Sequence, residues 1–336
     1  MKNYLIIFLY STFSFTLQAQ TLIARHSDGA VNFYDALDEA VAASVDGDTL
    51  YLPGRVFAGT TIDKSLHIFG AGYNPDSTTA TLRTQVSGSL TLDADASNGS
   101  VQGLYVTGDI TLGSLLTNYS LTRCFVSGSF YLSGTNESVT IAQNIFSSLN
   151  GGNSESNFIT NNVLYAGISD LSANNVIANN IFLNNSCLPL VDISSSQISN
   201  NIFTTANLCG GFGDVSSNIF ENNIYVIAVD PCVSFYGGDN ICNSNLSSID
   251  ETTLFETYDD GSPIAFYFAQ DLRNLAGSPA INGGSDGTDI GIYGGLFPWK
   301  DGGLPLNPHI QSKSIGSTTD ESGGLEINIK VAAQEE

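Results

Sequence analysis

The sequence predicts an all-β fold, a right-handed parallel β-helix of about ten coils with a short N-terminal capping helix. Three observations lead to this fold class. A six-residue motif recurs in the middle of the chain at intervals of 18 to 22 residues. Its first, fifth and sixth positions are apolar, and its fourth position is nearly always Asn. Such an interval is typical of one coil of a β-solenoid, in which short strands stack in parallel and equivalent side chains form a continuous core.

The motif copies align without gaps. The clear copies are IAQNIF (141–146), ITNNVL (159–164), IANNIF (177–182), ISNNIF (198–203) and FENNIY (220–225). Two weaker copies, VQGLYV at 101 and LTRCFV at 121, extend the series towards the N-terminus, and DNIC at 239–242 predicts a last, shortened copy. Helix-pair repeats need about 33 residues or more and a 3.6-residue apolar period, and neither occurs. Variable coil lengths and the absence of a strict hexapeptide pattern favour the right-handed form.

The Asn at the fourth motif position is expected where the chain bends between two strands, because Asn tolerates left-handed backbone conformation. Stacked at one corner of successive coils, these amides can hydrogen-bond to one another along the solenoid axis. The predicted ladder consists of Asn144, Asn162, Asn180, Asn201 and Asn223. The alternative, that these side chains bind sugars, stays open at this point.

The N-terminal residues predict export. Residues 1–19 contain one Lys, an apolar run and a small residue before Gln20, which is the pattern of a signal peptide cleaved after Ala19. No other apolar run approaches the length of a membrane span, so we expect no membrane insertion. The chain is therefore expected to be secreted or held at the cell surface, in an extracellular or periplasmic compartment.

An amphipathic segment predicts the capping helix. In VNFYDALDEAVAAS (31–44), Phe33, Leu37 and Val41 fall on one face of a helix. In the β-helix family that this and other segments resemble, a short helix caps the open end of the core, and this face suits such a cap.

Several segments resemble the right-handed parallel β-helix proteins of the pectin-lyase-like superfamily. The amphipathic segment is followed by DGDTLYLPG (46–54) and TTIDKSLHIFGAGY (60–73), and LAGSPAINGGSDGTDIGIYGG (275–295) is similar to the closing segment of many secreted bacterial β-helices. The resemblance covers about residues 25–297 and implies the fold. It implies no single activity, because this superfamily includes lyases, hydrolases, isomerases, adhesins and inert spikes.

One folded domain is expected. We predict a signal peptide at 1–19, a β-helix domain at 20–297, and a linker with a tail strand at 298–336. The residues from 297 to 324 are rich in Pro, Gly and Ser, which is typical of a linker. LEINIKV (325–331) alternates apolar and polar residues as a single strand does. This strand is expected either to dock on the solenoid or to pair with another protein.

The composition narrows the possible partners. The chain has 10 Lys and Arg against 33 Asp and Glu, a net charge of −23. This charge argues against nucleic acid and anionic membranes as partners. An elongated surface rich in Asn, Ser, Thr and Tyr suits a polysaccharide instead.

The cysteines are expected to lie in an exported domain, where disulfides persist. They are Cys124, Cys187, Cys209, Cys232 and Cys242, an odd number that leaves at least one unpaired. Because three of them follow the ends of successive motif copies by five to seven residues, a Cys187–Cys209 or a Cys209–Cys232 bridge is plausible. Cys242 is a competing partner, and the sequence does not choose between these pairings.

A row of acidic residues has a fixed spacing from the Asn ladder. Asp192 and Asp214 lie nine residues before Asn201 and Asn223, and Asp170 lies ten before Asn180. Asp230 lies ten before Asn240 and is expected to continue the row. Carboxylates on neighbouring coils would be about 5 Å apart. They are expected to be solvated turn residues, a calcium site that includes Asp192 and Asp214, or a catalytic pair formed within Asp170, Asp192 and Asp214.

The family resemblance supplies little support for catalysis. Pectate lyases of this fold use bound Ca²⁺ and an Arg or Lys base, whereas Arg123 lies two or more coils from Asp170. Polygalacturonases carry separate NTD and DD motifs followed by His and an RIK-like element, and this chain offers only Asp259 and Asp260 in YDDG, which predicts a turn. The three histidines have no spacing typical of a metal site or a triad.

Three functions are therefore carried forward. The first is a polysaccharide-binding or surface-adhesion module without catalysis. The second is a polysaccharide lyase or glycoside hydrolase acting on an acidic glycan at the Asp row, with calcium as the possible cofactor. The third is a structural or assembly component that recruits a protein partner through residues 325–331.

Overall fold

The structure, a computed structural model, describes residues 22–183, 189–204, 214–228, 230, 232, 239–258 and 270–333. The predicted fold class is confirmed: the described residues form a right-handed parallel β-helix of about nine turns and contain one α-helix. Along the chain, each coil contributes one strand in succession to three parallel sheets, here called A, B and C. Among the described residues, no helix is both long enough and apolar enough to cross a membrane. The predicted signal peptide lies outside the described residues.

The strands are numbered in chain order. Sheet A contains β1 Ile23–Ser27, β2 Ala30–Tyr34, β3 Thr49–Tyr51, β6 His67–Phe69, β9 Ser100–Gln102, β12 Ser120–Thr122, β15 Thr140–Ala142, β18 Phe158–Thr160, β21 Val176–Ala178, β24 Gln197–Ser199, β27 Ile219–Glu221 and β29 Ile241–Asn243. Sheet B contains β4 Val56–Ala58, β7 Gln85–Ser87, β10 Tyr105–Val106, β13 Phe125–Val126, β16 Ile145–Phe146, β19 Val163–Leu164, β22 Ile181–Phe182, β25 Ile202–Phe203 and β28 Ile224–Tyr225. Sheet C contains β5 Thr61–Ile62, β8 Leu90–Leu92, β11 Ile110–Leu112, β14 Phe130–Leu132, β17 Leu149–Ser154, β20 Ile168–Leu171, β23 Leu190–Ser194 and β26 Val215–Ser216.

The remaining elements lie outside the three sheets. They are helix α1 Leu37–Ala43, the antiparallel pair β30 Phe255–Thr257 and β31 Asp271–Asn274, the antiparallel pair β32 His309–Thr319 and β33 Leu325–Ala332, and short 3₁₀ turns at Ala94–Ala96 and Glu251–Thr253.

Each motif copy spans one corner between sheets A and B. Its first position lies at the centre of a sheet A strand, so Ile159 pairs with Ile177, and Ile177 with Ile198. Its sixth position points into the core from sheet B, where the ring centroids of Phe182 and Phe203 are 4.7 Å apart and the rings are stacked. Both positions are buried, because parallel in-register strands place identical side chains above one another.

The fifth motif position faces away from the central core. Its residues are Ile145, Val163, Ile181, Ile202 and Ile224, and all five are buried in a second apolar cluster. Residues from the C-terminal region, including Leu272, Ile290 and Ile292, complete this cluster. The C-terminal region therefore covers the outer face of sheet B.

The N-terminal cap differs from the prediction at Phe33. Leu37 and Val41 are buried on α1 as expected, but Phe33 lies in β2 and is 62% exposed. β1 and β2 form a hairpin closed by Asp28 and Gly29, both with positive φ. The Asp-Gly pair favours such a hairpin turn. The residues before Leu37 therefore pair as a strand, and the helix begins only at Leu37.

The last motif copy is also shifted from its prediction. β29 pairs with β27 so that Phe220 lies beside Cys242. The copy that follows FENNIY is therefore CNSNLS, and its ladder position is Asn245. DNIC was in the wrong register because a second asparagine column, described below, contains Asn240.

The C-terminal tail contains two paired strands instead of the single strand predicted. β33 pairs with β32 in an antiparallel hairpin, here called the C-terminal hairpin, with Ile315 opposite Ile327. The prediction that residues 309–319 belong to a linker was wrong. Their polar composition concealed a strand because both faces of the hairpin are largely exposed, so no buried face imposed an apolar pattern.

Candidate functional site

The predicted asparagines form a column of hydrogen bonds inside the solenoid, here called the inner ladder. Asn162 Oδ1 accepts from the backbone N–H and the side-chain N–H of Asn144, at 2.9 and 3.2 Å. Asn180 Oδ1 accepts the same two bonds from Asn162, at 2.9 and 3.0 Å. The pattern continues through Asn201 and Asn223 to Asn245.

Each ladder side chain also satisfies the sheet A backbone. Asn162 Nδ2 donates to Ile141 O and Asn180 Nδ2 to Ile159 O, both at 2.8 Å. Asn162 and Asn180 have no exposed surface. Such a column provides hydrogen-bond partners for buried backbone groups at the corner, and its amides are inaccessible to a sugar.

The left-handed bend lies one residue earlier than predicted. Residues at the third motif position have positive φ, for example 57° at Gln143, 55° at Asn161 and 55° at Asn179. The ladder asparagines themselves are not in that conformation. Asn is therefore favoured at two adjacent positions for different reasons: the third tolerates the left-handed backbone, and the fourth turns its amide inward.

The third-position side chains bind a chain segment that returns along the solenoid. Residues 283–304, here called the return segment, run from the last coils towards the first. Asn222 Nδ2 donates to Gly283 O at 2.8 Å, Asn179 Nδ2 to Gly291 O at 3.2 Å, and Asn161 Nδ2 to Gly294 O at 2.7 Å. Towards the N-terminus, Gln143 Nε2 donates to Pro298 O at 2.7 Å, and Arg123 Nη1 to Leu304 O at 2.8 Å.

Arg123 is one of the side chains that hold the return segment. Its guanidinium also donates to Gln143 Oε1 at 2.6 Å, and its side chain is almost fully buried. Burial lowers the pKa of Arg123 to about 10, so the side chain remains charged at neutral pH. The contacts assign Arg123 to the attachment of the return segment.

A second column of polar residues lies at the opposite end of each sheet A strand. Its members are Asn157, Asn175, Ser196, Asn218 and Asn240. Asn157 N–H donates to Asn175 Oδ1 at 3.0 Å, and Asn218 N–H donates to Asn240 Oδ1 at 2.8 Å. The sequence prediction missed this column, although each member stands five residues before an inner-ladder Asn.

Three of the four predicted aspartates lie in one register on sheet C. Ser169 pairs with Val191 and Leu171 with Ile193, which places Asp170 beside Asp192. Ile193 pairs with Val215, which places Asp192 beside Asp214. Asp170 and Asp192 have φ values of 58° and 51°, so both occupy a left-handed bend in the sheet. A short polar residue at such a bend has a structural explanation.

The carboxylates of this row have local partners. Asp170 accepts from the Asn150 side-chain amide and from Ser169 Oγ, the latter at 2.9 Å. Asp192 Oδ1 accepts the backbone N–H of Asp214 at 2.8 Å. Among the hydrogen bonds and ion pairs described for the three aspartates, none involves Arg, Lys or His. These contacts match residues placed at a bend of successive strands. They do not match an acid–base pair in which one carboxyl donates a proton.

Asp230 does not continue the row. Asp230 stands fifteen residues before the ladder position of its coil, Asn245, whereas Asp192 and Asp214 stand nine residues before theirs. Asp230 instead accepts the backbone N–H of Cys232 at 2.9 Å. Its carboxylate lies close to the sulfurs of Cys232 and Cys242, but these are joined in a disulfide and do not form a metal-ligating set.

The disulfide resolves one of the open pairings. Cys232 bonds to Cys242, the competing partner, so the Cys209–Cys232 bridge is excluded. Cys187, Cys209, Asp259 and Asp260 lie outside the described residues. Cys124 is a buried free thiol at the inner-ladder corner, and burial raises its pKa to about 12.

A cavity of about 290 Å³, here called the lateral pocket, lies between the return segment and β31. Its walls include the only Trp of the chain, Trp299, together with Tyr73 and Tyr293. Asp271, Arg273 and Asp301 supply charged groups. The lateral pocket combines aromatic surface with several polar groups in one concavity, which is the usual composition of a small-ligand site.

The polar groups of the lateral pocket are held in place by one another. Arg273 Nε donates to Asp271 Oδ1 at 2.8 Å, and its Nη2 bonds to the other carboxylate oxygen. This bidentate contact holds the pKa of the Asp271 carboxyl below its usual range. Tyr293 OH donates to Asp301 Oδ1 at 2.9 Å, and burial raises the pKa of Tyr293, so its phenol stays protonated at neutral pH.

Sequence reasoning missed the lateral pocket. Its residues come from three distant parts of the chain, at 73–74, 270–273 and 292–302, and most of the last part was assigned to a linker or closing segment. One signal was present: the single Trp stands two residues before Asp301 in a segment otherwise rich in Gly and Pro.

Comparison with known proteins adds no relative: no family model, no curated protein and no solved structure matches this chain.

Proposed function

We propose that the chain is a secreted or cell-surface polysaccharide-binding protein that holds one sugar unit in the lateral pocket without cleaving it. The observation that carries this proposal is that Trp299 and Tyr293 line one concavity together with the Asp271–Arg273 pair and Asp301. The export signal and the resemblance to the pectin-lyase-like superfamily support the same conclusion. Many proteins of that superfamily act on or bind glycans.

The chemistry of the lateral pocket fits a pyranose ring. The apolar C–H face of a sugar packs on an aromatic side chain, and Trp offers the largest such surface in this chain. Vicinal hydroxyls can donate to Asp271 and Asp301 and can accept from Arg273. Two carboxylates and one guanidinium give the lateral pocket no excess of positive charge, so a neutral sugar fits better than a uronate.

Binding without turnover is the better fit to the acidic row. Asp170 and Asp192 are engaged with neighbouring amides and hydroxyls, and they lie on sheet C, whereas the return segment is bound at the corner between sheets A and B. A glycosidase needs one carboxyl that donates a proton and one that acts as base or nucleophile. No described contact separates these two roles within the row.

The experiment is a binding and product-release screen of residues 20–336 with cellohexaose, xylohexaose, mannohexaose and hexagalacturonate, with and without calcium. Binding of a neutral hexasaccharide is expected without new reducing ends. Removal of Trp299 (Trp299→Ala) should weaken it by about 30-fold, because a buried aromatic anchor contributes about 2 kcal/mol.

Arg273→Gln is the companion variant, since Arg273 is largely exposed and its loss should leave the fold intact. Lys330→Gln is the matched control, because it removes one exposed positive charge on the C-terminal hairpin. Equal loss of affinity in both charge variants would show a general charge effect and contradict the lateral pocket.

The enzyme alternative has its own test. Asp192→Asn keeps an oxygen that can accept the Asp214 N–H and removes the charge. Product release by the wild type that disappears in this variant would establish catalysis at the row. Binding that is unchanged in this variant, with no product from either protein, is the expected result.

An exposed apolar face favours a second candidate function, which is assembly through the C-terminal hairpin. Leu325, Ile327, Ile329 and Val331 alternate along β33, and each is 46% to 58% exposed. Exposed apolar rows of this kind are typical of interaction surfaces. If this face recruits a protein, an Ile327→Ser, Ile329→Ser double variant should lose surface retention while its glycan affinity stays unchanged.

A further inference from the structure

A second concavity lies at the N-terminal end of the solenoid. Its volume is about 390 Å³, and it is here called the N-terminal groove. Its walls come from the β1–β2 hairpin, from the first two coils of sheet A, and from the chain between Pro305 and Lys313. No part of the function proposed above uses this groove.

Aromatic side chains form one wall of the N-terminal groove. Tyr51 and Phe69 occupy equivalent positions on neighbouring coils, with ring centroids 5.5 Å apart and an interplanar angle of 18°. Phe33, displaced from the predicted helix face into β2, is 62% exposed at the same groove. Phe33, Tyr51 and Phe69 together give the groove a contiguous apolar surface, which is more informative than a single exposed ring.

Two polar atoms in the other wall have no hydrogen-bond partner among the described residues. They are Asn307 Oδ1 and His309 Nδ1, and both atoms are buried from solvent. Buried polar atoms are nearly always satisfied, because an unmade hydrogen bond is unfavourable. A ligand hydroxyl would satisfy either atom if its side chain rotated towards the groove, whereas a hydrocarbon chain would satisfy neither.

The N-terminal groove is continuous in sequence with the lateral pocket on both sides. Ala71 lines the groove and Tyr73 lines the pocket, while Gly302 lines the pocket and Pro305 the groove. Three extended residues span about 10 Å at most. Short stretches of chain therefore link the walls of the two concavities.

We propose that the N-terminal groove is a second saccharide subsite, which binds another unit of the glycan chain held in the lateral pocket. The aromatic wall packs against the C–H groups of the sugar, and sugar hydroxyls donate to Asn307 and His309. This inference rests on the proposed glycan-binding function. It predicts that affinity increases with oligosaccharide length beyond what the lateral pocket alone provides.

The test uses isothermal titration of the wild type with cellohexaose, xylohexaose and mannohexaose, and with the corresponding disaccharides. Phe33→Ala removes the exposed ring, and His309→Phe keeps a ring while removing the acceptor. For the hexasaccharide that binds, both variants should raise Kd by about tenfold. The Kd of the disaccharide should be unchanged, because a disaccharide occupies the lateral pocket alone.

Phe158→Ala is the matched control, since Phe158 is 47% exposed on sheet A but lines neither concavity. Thermal unfolding of each variant verifies its fold. A hexasaccharide Kd within twofold of wild type in both Phe33→Ala and His309→Phe, with Trp299→Ala still impaired, would overturn the second subsite and leave the proposed function standing. Loss of binding in Phe33→Ala with none in Trp299→Ala would support the groove and refute the lateral pocket. No binding of any hexasaccharide to the wild type would overturn both.

Discussion

Replacing one inner-ladder asparagine should destabilise the whole solenoid, and Asn180 is the best position to test. Its side chain accepts two hydrogen bonds from Asn162 and donates to Ile159 O and Asn201 Oδ1. In Asn180→Ala, the Asn162 backbone N–H loses the acceptor described for it, and Ile159 O loses the amide donor. Asn201 Oδ1 keeps the backbone N–H of residue 180, so its loss is partial.

The size of the effect follows from these groups. A buried donor or acceptor left without its partner destabilises by about 1 to 3 kcal/mol; two such groups are affected here, and the Asn162 side-chain amide loses one of its two acceptors. We therefore expect a decrease of about 3 to 4 kcal/mol in the free energy of unfolding, measured by urea titration followed by circular dichroism. The urea m-value should stay constant if the solenoid unfolds in one step.

Two further variants sharpen this prediction. Asn328→Ala on the exposed C-terminal hairpin is the matched control and should change stability by less than about 0.5 kcal/mol. Asn180→Asp would place a carboxyl in the buried column, where burial raises its pKa, so the variant should regain stability relative to wild type as the pH falls. A loss below about 1 kcal/mol in Asn180→Ala would refute the reasoning that the column satisfies otherwise unpaired backbone groups.

Three more outcomes follow from the same contacts. Asn179→Ala removes the donor to Asp289 O and Gly291 O, so it should increase the rate of proteolysis within the return segment. Asn180→Ala should instead lower the stability of the whole solenoid. Cleavage rates measure the first effect and urea titration the second. Cys124, with its pKa raised to about 12 by burial, should resist iodoacetamide at pH 8 in the native protein and react after denaturation, as measured by peptide mass spectrometry. Reduction of the Cys232–Cys242 disulfide should lower the free energy of unfolding by about 2 to 3 kcal/mol, because the bond closes a loop of ten residues; urea titration with and without reductant measures this change.

The sequence predicted the solenoid because a coil repeats its side-chain environment. Apolar residues at the first and sixth motif positions recur wherever a strand faces the core, and the buried amide at the fourth position recurs with them. The second column was harder to recognise, because Tyr119 and Val139 occupy its equivalent positions in earlier coils. Only from Asn157 onwards does the column become mainly asparagine.

The return segment and the lateral pocket could not be derived from local pattern. The return segment is held through its backbone carbonyls, which accept from Asn161, Asn179 and Asn222. Every residue type has a backbone carbonyl, so the sequence of the return segment does not indicate these contacts. The segment has little regular secondary structure, so periodicity does not apply to it. The lateral pocket forms because the return segment brings Trp299 close to Tyr73, which lies in the N-terminal part of the chain.

The acidic row shows the limit of spacing arguments. The register placed Asp170, Asp192 and Asp214 together, but the left-handed backbone at two of them supplies a structural reason for the residue type. Asp230 does not belong to the row because its spacing was counted from Asn240, which lies in the second asparagine column and not in the inner ladder. A shared register brings groups together without giving them different protonation roles.

The most direct test of the account is the affinity of wild type and Trp299→Ala for the neutral hexasaccharides, measured by isothermal titration. We predict binding to the wild type with no release of reducing ends, and an affinity lower by about 30-fold in the variant. Equal affinity of the two proteins, or no binding to either, would contradict the assignment of the lateral pocket as a sugar-binding site.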